Sequence, residues 1–190
     1  MKNEKITETD VVIVLQTFLI LLVQRKVCGF PNNKYDIFFP SLLNKIINEP
    51  DKKKAFISQV IKEDLFVSNQ EFEEAFLKKP IYKPTELEFT RLILQEIDKT
   101  YQIHGQLPDY TIIHTIEHVM PQAPDEEWRK YLGAEVSDIN LDIFKNSVGN
   151  LCLISGVANS SVGQDPFEAK KSVYTEISGS TGDLKARTGK

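Results

Sequence analysis

Residues 111–116, with the sequence TIIHTI, constrain the fold of this chain more than any other segment. All but one of these side chains are β-branched, which favours an extended strand. Glu117 and His118 follow directly, and Pro121 comes soon after, so the strand is predicted to end or bend at this pair. The sequence LCLI at 151–154 predicts a second short strand. Together they predict a small sheet.

The residues from 1 to 103 are predicted to be helical, because apolar side chains recur there at helical spacing. The first helix is predicted to begin near Thr9 and to end near Gly29, a residue suited to the position after a helix. Its segment 11–23 is apolar on all sides, which predicts a buried central helix. This segment is too short to span a bilayer, and the acidic residues before it argue against a signal peptide.

Two further helices are predicted on either side of the second strand. One covers residues 125–132 and ends at Gly133, and the other covers residues 166–177 with Pro166 in its first turn. We therefore predict an α+β protein that is mostly α. A helical subdomain (1–103) precedes a small strand-containing domain (104–178), and a flexible tail (179–190) follows.

The composition is that of an ordinary globular protein and excludes a chain that coats nucleic acid. The 190 residues carry a net charge of −4, and the isoelectric point is about 5.5. A DNA-binding protein of this charge must gather its cations locally. Cys28 and Cys152 match no metal-binding spacing and are predicted to be two buried thiols rather than a disulfide.

The residues around the first strand could carry phosphodiester chemistry. The His118 imidazole titrates near neutral pH and can take a proton from water as a general base. Glu117 can bind a divalent cation, and the amide oxygen of Asn159 is a suitable second ligand, with Asn146 as the alternative. Lys170 and Lys171 are candidates for contacting phosphate.

Five sequence blocks resemble, in the same order, the C-terminal HNH (ββα-metal) nuclease domain of GmrSD-type restriction endonucleases. They are IEHVMPQ (116–122), EW (127–128), VGNLCLI (148–154), NSS (159–161) and PFEAKK (166–171). Three upstream blocks, at 22–29, 69–72 and 92–97, resemble the helical region of the same family. The chain departs from the usual family pattern at Gln164 and Asp165.

The resemblance implies a metal-dependent DNA endonuclease of a restriction or anti-phage defence system. It implies His118 as general base, Glu117 and Asn159 as metal ligands, and Asn150 as the residue that holds the catalytic loop through backbone hydrogen bonds. Mg²⁺ or Mn²⁺ suits such oxygen ligands better than zinc does. DNA is the implied partner, in the cytoplasm and away from membranes. The family's N-terminal NTPase-like half has no counterpart here, so a specificity domain or subunit is a further expected partner.

Two other functions fit parts of the sequence. The acidic net charge and the altered residues 164–165 suit a non-catalytic module that binds DNA or a protein partner through a degenerate HNH fold. The segment HTIEH (114–118) matches the H-x-x-E-H signature of inverted zinc peptidases. That chemistry needs His114 and His118 on one helix face, whereas a β-branched strand holds them apart.

Overall fold

The computed structural model describes residues 7–101, 109–111, 113, 115–133 and 138–181. Within these residues the chain is mostly helical, with one two-stranded sheet, so the predicted α+β class is confirmed. The helices are α1 (Glu8–Cys28), α2 (Tyr35–Ile46), α3 (Lys52–Lys62), α4 (Asn69–Lys78), α5 (Leu87–Tyr101), α6 (Glu126–Leu132), α7 (Asp138–Phe144), α8 (Gly156–Val162) and α9 (Phe167–Thr181). The strands are β1 (Thr115–His118) and β2 (Leu151–Ile154).

The chain divides into two compact units, Met1–Phe76 and Leu77–Lys190. The expected division near residue 103 stays a prediction, because residues 102–108 lie outside the described part of the chain. Most of the predicted tail, residues 182–190, lies outside it as well. Cys28 and Cys152 are both thiols, as predicted, but only Cys152 is buried, whereas Cys28 is half-buried.

Helix α1 has the predicted bounds. Thr7 and Asp10 form a capping box at its start, and Gly29 closes it with a left-handed φ of 79°. The expectation that this helix is buried on all sides is wrong. Leu21 and Val27 are buried, whereas a set of apolar side chains is exposed. The exposed set is Val11, Val12, Leu15, Leu19 and Ile20.

Among the described residues, α1 is also the one helix long and apolar enough to cross a membrane by length and composition. Core helices of water-soluble proteins and signal sequences pass the same criterion. The length and composition of α1 therefore do not assign the protein to a membrane.

The core of the first unit forms where α1, α2 and α3 meet. Its buried members are Leu21, Phe38, Leu42, Ile46, Phe56, Val60 and Leu65. The predicted apolar spacing in α2 and α3 supplies most of this set.

The second unit is built around the antiparallel pair of β1 and β2, in which His118 lies opposite Leu151 and Thr115 lies opposite Ile154. Helix α5 contacts β2, and α8 contacts both β1 and α9. One apolar cluster contains Cys152, Ile154, Ala158, Val162 and Tyr174. A second contains Met120, Trp128 and Leu141.

Several predicted elements of the second unit are confirmed. Strand β2 has the predicted bounds, and α6 (Glu126–Leu132) lies between its N-terminal cap Asp125 and its C-terminal cap Gly133. Helix α9 begins as predicted and extends four residues further than predicted. Strand β1 begins later than predicted but ends at His118. Helices α7 and α8 were not predicted.

Candidate active site at the end of the first strand

Glu117 and His118 occupy opposite faces of β1 because successive strand residues point to opposite sides. Glu117 is 5% exposed, whereas His118 is half-buried. The Val119 amide donates to the Asn150 carbonyl at 3.0 Å. Bonded and non-bonded pairs alternate in an antiparallel ladder, so His118 and Leu151 form a non-hydrogen-bonded pair. The carbonyl of His118 therefore points away from β2.

The His118 ring is held by two neighbours. Its Nε2 lies 3.1 Å from Oδ1 of Asn146. Because a carboxamide oxygen can only accept, Nε2 carries the hydrogen and the neutral ring keeps its lone pair on Nδ1. The ring of Tyr82 packs edge-on against the imidazole, with 4.5 Å between centroids. Burial lowers the pKa of His118 below its ordinary value, although the Asn146 bond and the Glu117 charge oppose that shift.

Asn146 is itself fixed in position from two sides. Its carbonyl accepts from the backbone amides of Ile81 and Tyr82, at 2.9 and 3.2 Å. Its Oδ1 also accepts from Nε2 of Gln122 at 3.1 Å. Residues far apart in the sequence thus orient the acceptor that sets the His118 tautomer.

Asn150 joins the two ends of the segment that connects the strands. Its Oδ1 accepts from the Met120 amide at 2.7 Å. Its Nδ2 donates to the carbonyls of Met120 and Lys145, at 2.9 and 2.8 Å. These are backbone hydrogen bonds of the kind expected for a loop-holding asparagine, and they hold the chain after His118 against the chain before β2.

On the inner face of β1, Glu117 lies in a buried polar cluster. Its Oε1 accepts from Nζ of Lys170 at 2.7 Å and from the Tyr174 hydroxyl at 2.8 Å. The same ammonium donates to the His118 carbonyl at 3.1 Å and lies 5.9 Å from the centroid of the Trp128 ring. Burial, followed by the Glu117 charge, raises the pKa of Tyr174.

Lys170 therefore differs from its expected role. Its side chain is 0% exposed and its ammonium already has two acceptors, so it cannot contact DNA phosphate in this arrangement. Lys171 is half-exposed on the next position of α9, where it lies 3.9 Å from Glu168. Of the two lysines expected to contact phosphate, only Lys171 is exposed enough to do so.

In the arrangement that the structure shows, Glu117 is not available to bind a divalent cation. A hard cation is bound by several oxygen ligands, and each of them must be free to coordinate it. Here an ammonium already lies 2.7 Å from Oε1 of Glu117. Within the described residues, no group of three or more His, Cys, Asp or Glu side chains is placed to hold a metal ion.

The candidate second ligands lie on different elements. Asn146 lies between α7 and β2 and faces His118. Asn159 is half-buried on α8, the helix that follows β2 and contacts β1. The structure thus brings Asn146, rather than Asn159, into hydrogen-bond contact with His118.

A shallow cleft of about 320 Å³ lies next to this site. Gln122 lines it and also donates to Asn146, and Arg129 and Lys145 contribute positive charge. The remaining lining residues are Ala123, Pro124, Leu141 and Asp142. Lys145 also pairs with Asp142 at 2.5 Å, so the charge of the cleft is partly balanced.

The sequence patterns did not indicate Tyr82, Gln122 or Tyr174 as parts of the site. Gln122 lies in the block at 116–122 and could have been suspected from its distance to His118. Tyr82 and Tyr174 are separated from His118 by long stretches of sequence and gave no local signal.

Comparison with known proteins gives one match. Residues 66–188 match the sequence model of the family described as GmrSD restriction endonucleases, C-terminal domain. No curated protein matches the chain. No solved structure matches it either.

Proposed function

Since the chain belongs to the C-terminal domain family of GmrSD restriction endonucleases, we propose that it hydrolyses DNA phosphodiester bonds with His118 as the general base. The hydrogen bond from His118 Nε2 to Asn146 carries this proposal. It leaves Nδ1 of a neutral imidazole as the atom that accepts a proton from the attacking water. The lowered pKa of His118 keeps the ring neutral at physiological pH.

The HNH class of nuclease is supported by the order of the parts. Strand β1 ends at His118, Asn150 holds the connecting segment, β2 follows, and α8 carries Asn159. In this proposal His118 takes the proton and Asn146 orients the ring. Asn150 keeps the two strand ends in register.

A requirement for Mg²⁺ or Mn²⁺ stays a prediction of the family resemblance. Such an ion would supply charge neutralisation at the phosphate. Its ligands would have to include oxygens other than Oε1 of Glu117, and the amide oxygens of Asn159 and Asn146 are the candidates.

DNA is the proposed substrate, and its phosphates would bind positively charged side chains near His118. Arg129 and Lys145 line the neighbouring cleft, and Lys171 is half-exposed on α9. A chain with a net charge of −4 depends on such local groups. We also propose a cytoplasmic defence setting and an NTPase-like specificity domain or subunit as partner.

A non-catalytic DNA-binding module is the second candidate. The observation that favours it is the Glu117–Lys170 pair, which engages the carboxylate expected to bind metal. The peptidase motif gains no support, because residues Thr115–His118 form a strand rather than the helix that the motif needs. His114 lies outside the described residues.

A plasmid-nicking assay tests the proposal. Supercoiled DNA is incubated with the purified chain in EDTA, Mg²⁺ or Mn²⁺, and the His118→Ala variant serves as the inactive control. Nicking by the wild type and not by the variant is expected. DNA binding without nicking under all three conditions would support the binding module instead.

A further inference from the structure

The carbonyl of His118 has an unusual hydrogen-bond partner. It points away from β2, because His118 belongs to a non-hydrogen-bonded pair of the ladder. A carbonyl that is withdrawn from water and gains no donor is costly, and the donor of this part-buried carbonyl is the ammonium of Lys170 at 3.1 Å. Lys170 of α9 thus supplies the hydrogen-bond donor for the backbone carbonyl of His118.

The ammonium can occupy this buried position because Glu117 balances its charge. Isolated buried charges are strongly unfavourable, whereas a pair with good geometry is tolerated. Oε1 of Glu117 lies 2.7 Å from Nζ and also accepts from the Tyr174 hydroxyl. The Trp128 ring lies on another side of the ammonium. The His118 carbonyl, the Glu117 carboxylate and the Trp128 ring therefore hold the Lys170 ammonium in one place.

We propose that Lys170 is a positioning residue for His118, and this rests on the proposed nuclease function. Its ammonium binds the His118 carbonyl and the Glu117 carboxylate together, so α9 sets the position of the last residue of β1. Lys170 does not contact DNA. Displacement of a catalytic group by about 1 Å can lower a rate about 100-fold.

The test separates positioning from DNA binding through kcat and KM. Lys170→Met removes the ammonium and keeps most of the side-chain length. We expect kcat for nicking to fall about 10- to 100-fold, with KM for DNA unchanged within about twofold. Lys171→Met, on the same helix and half-exposed, should raise KM and leave kcat unchanged. Ser172→Ala, an exposed neighbour, should change neither.

A spectroscopic measurement gives a readout that does not depend on activity. The ¹³C carbonyl resonance of His118 should shift in Lys170→Met, because the carbonyl loses its donor, and should stay unchanged in Lys171→Met. If Lys170→Met does not fold, the neutral pair Glu117→Gln with Lys170→Met is compared with Glu117→Gln alone. The added loss of kcat in the double variant then measures the effect of Lys170.

The outcomes distinguish this proposal from the nuclease function. An unchanged kcat, or an increase in KM alone, in a folded Lys170 variant would overturn the positioning role. A wild-type chain that never nicks DNA, combined with the expected carbonyl shift, would refute the nuclease function and leave the Lys170–His118 contact established.

Discussion

The imidazole of His118 and the side-chain amide of Asn146 lie 3.1 Å apart, although 28 positions separate them in the sequence. The contact exists because the chain returns to the end of β1 just before β2 begins. Ile81 and Tyr82 hold the Asn146 backbone there. This relationship fixes one tautomer of His118, with the hydrogen on Nε2 and the lone pair on Nδ1.

Replacement of His118 by alanine should abolish nicking while the fold is retained. The side chain is half-buried at a strand end, so its loss removes little packing. Removal of a general base lowers the rate about 10²- to 10⁴-fold. The measurement is the nicking rate of a purified variant whose circular dichroism matches the wild type. His114→Ala is the matched control and should keep activity. Equal losses in the two variants would instead support the H-x-x-E-H motif, which needs both histidines.

Asn146→Ala should slow nicking without abolishing it. The variant loses one neutral hydrogen bond that orients the ring, and such a bond contributes about 0.5–1.5 kcal/mol, or roughly a 2- to 10-fold effect on rate. Asn146→Asp keeps the acceptor and should lose less. Single-turnover rates of both variants would measure this difference. Equal activity of Asn146→Ala and wild type would mean that the ring is oriented by other groups.

The two strands that position the candidate site could be predicted from local sequence. β-Branched residues followed by Pro121 indicate where β1 ends, and the LCLI segment indicates β2. The partners of these elements could not be predicted. Lys170 and Lys171 look alike in sequence, yet only Lys170 is buried, because it meets Glu117 across 53 positions. The apolar sequence of α1 likewise does not indicate which of its side chains are buried against other helices.

Asn150→Ala should destabilise the protein. Asn150 is 9% exposed, and its loss leaves the Met120 amide and the carbonyls of Met120 and Lys145 without that partner. A buried group left unsatisfied costs about 1–3 kcal/mol. Urea unfolding should show a lower midpoint with an unchanged slope. Asn44→Ala, at an exposed position of α2, is the control and should be nearly neutral.

The pH dependence of nicking should follow the titration of His118. A general base must be neutral, so the rate rises as pH increases through its pKa. Burial lowers that pKa from its ordinary value of 6.5, which places the midpoint of the acidic limb below 6.5. The kcat/KM for nicking, measured between about pH 4.5 and 8, gives this midpoint. An NMR titration of the His118 ring should give the same value. A midpoint above 6.5 in either measurement would contradict the assignment.

The Glu117–Lys170 pair should show strong coupling in a double-mutant cycle of unfolding free energies. Lys170→Met or Glu117→Gln alone leaves one buried charge without its partner, which costs about 3–5 kcal/mol. The double variant leaves neither charge and should be less destabilised than either single variant. The exposed pair of Lys171 and Glu168, 3.9 Å apart on the same helix, is the matched control. Its single variants should change stability by no more than about 1 kcal/mol. Additive losses at Glu117 and Lys170 would mean that the two charges do not depend on each other in the folded protein.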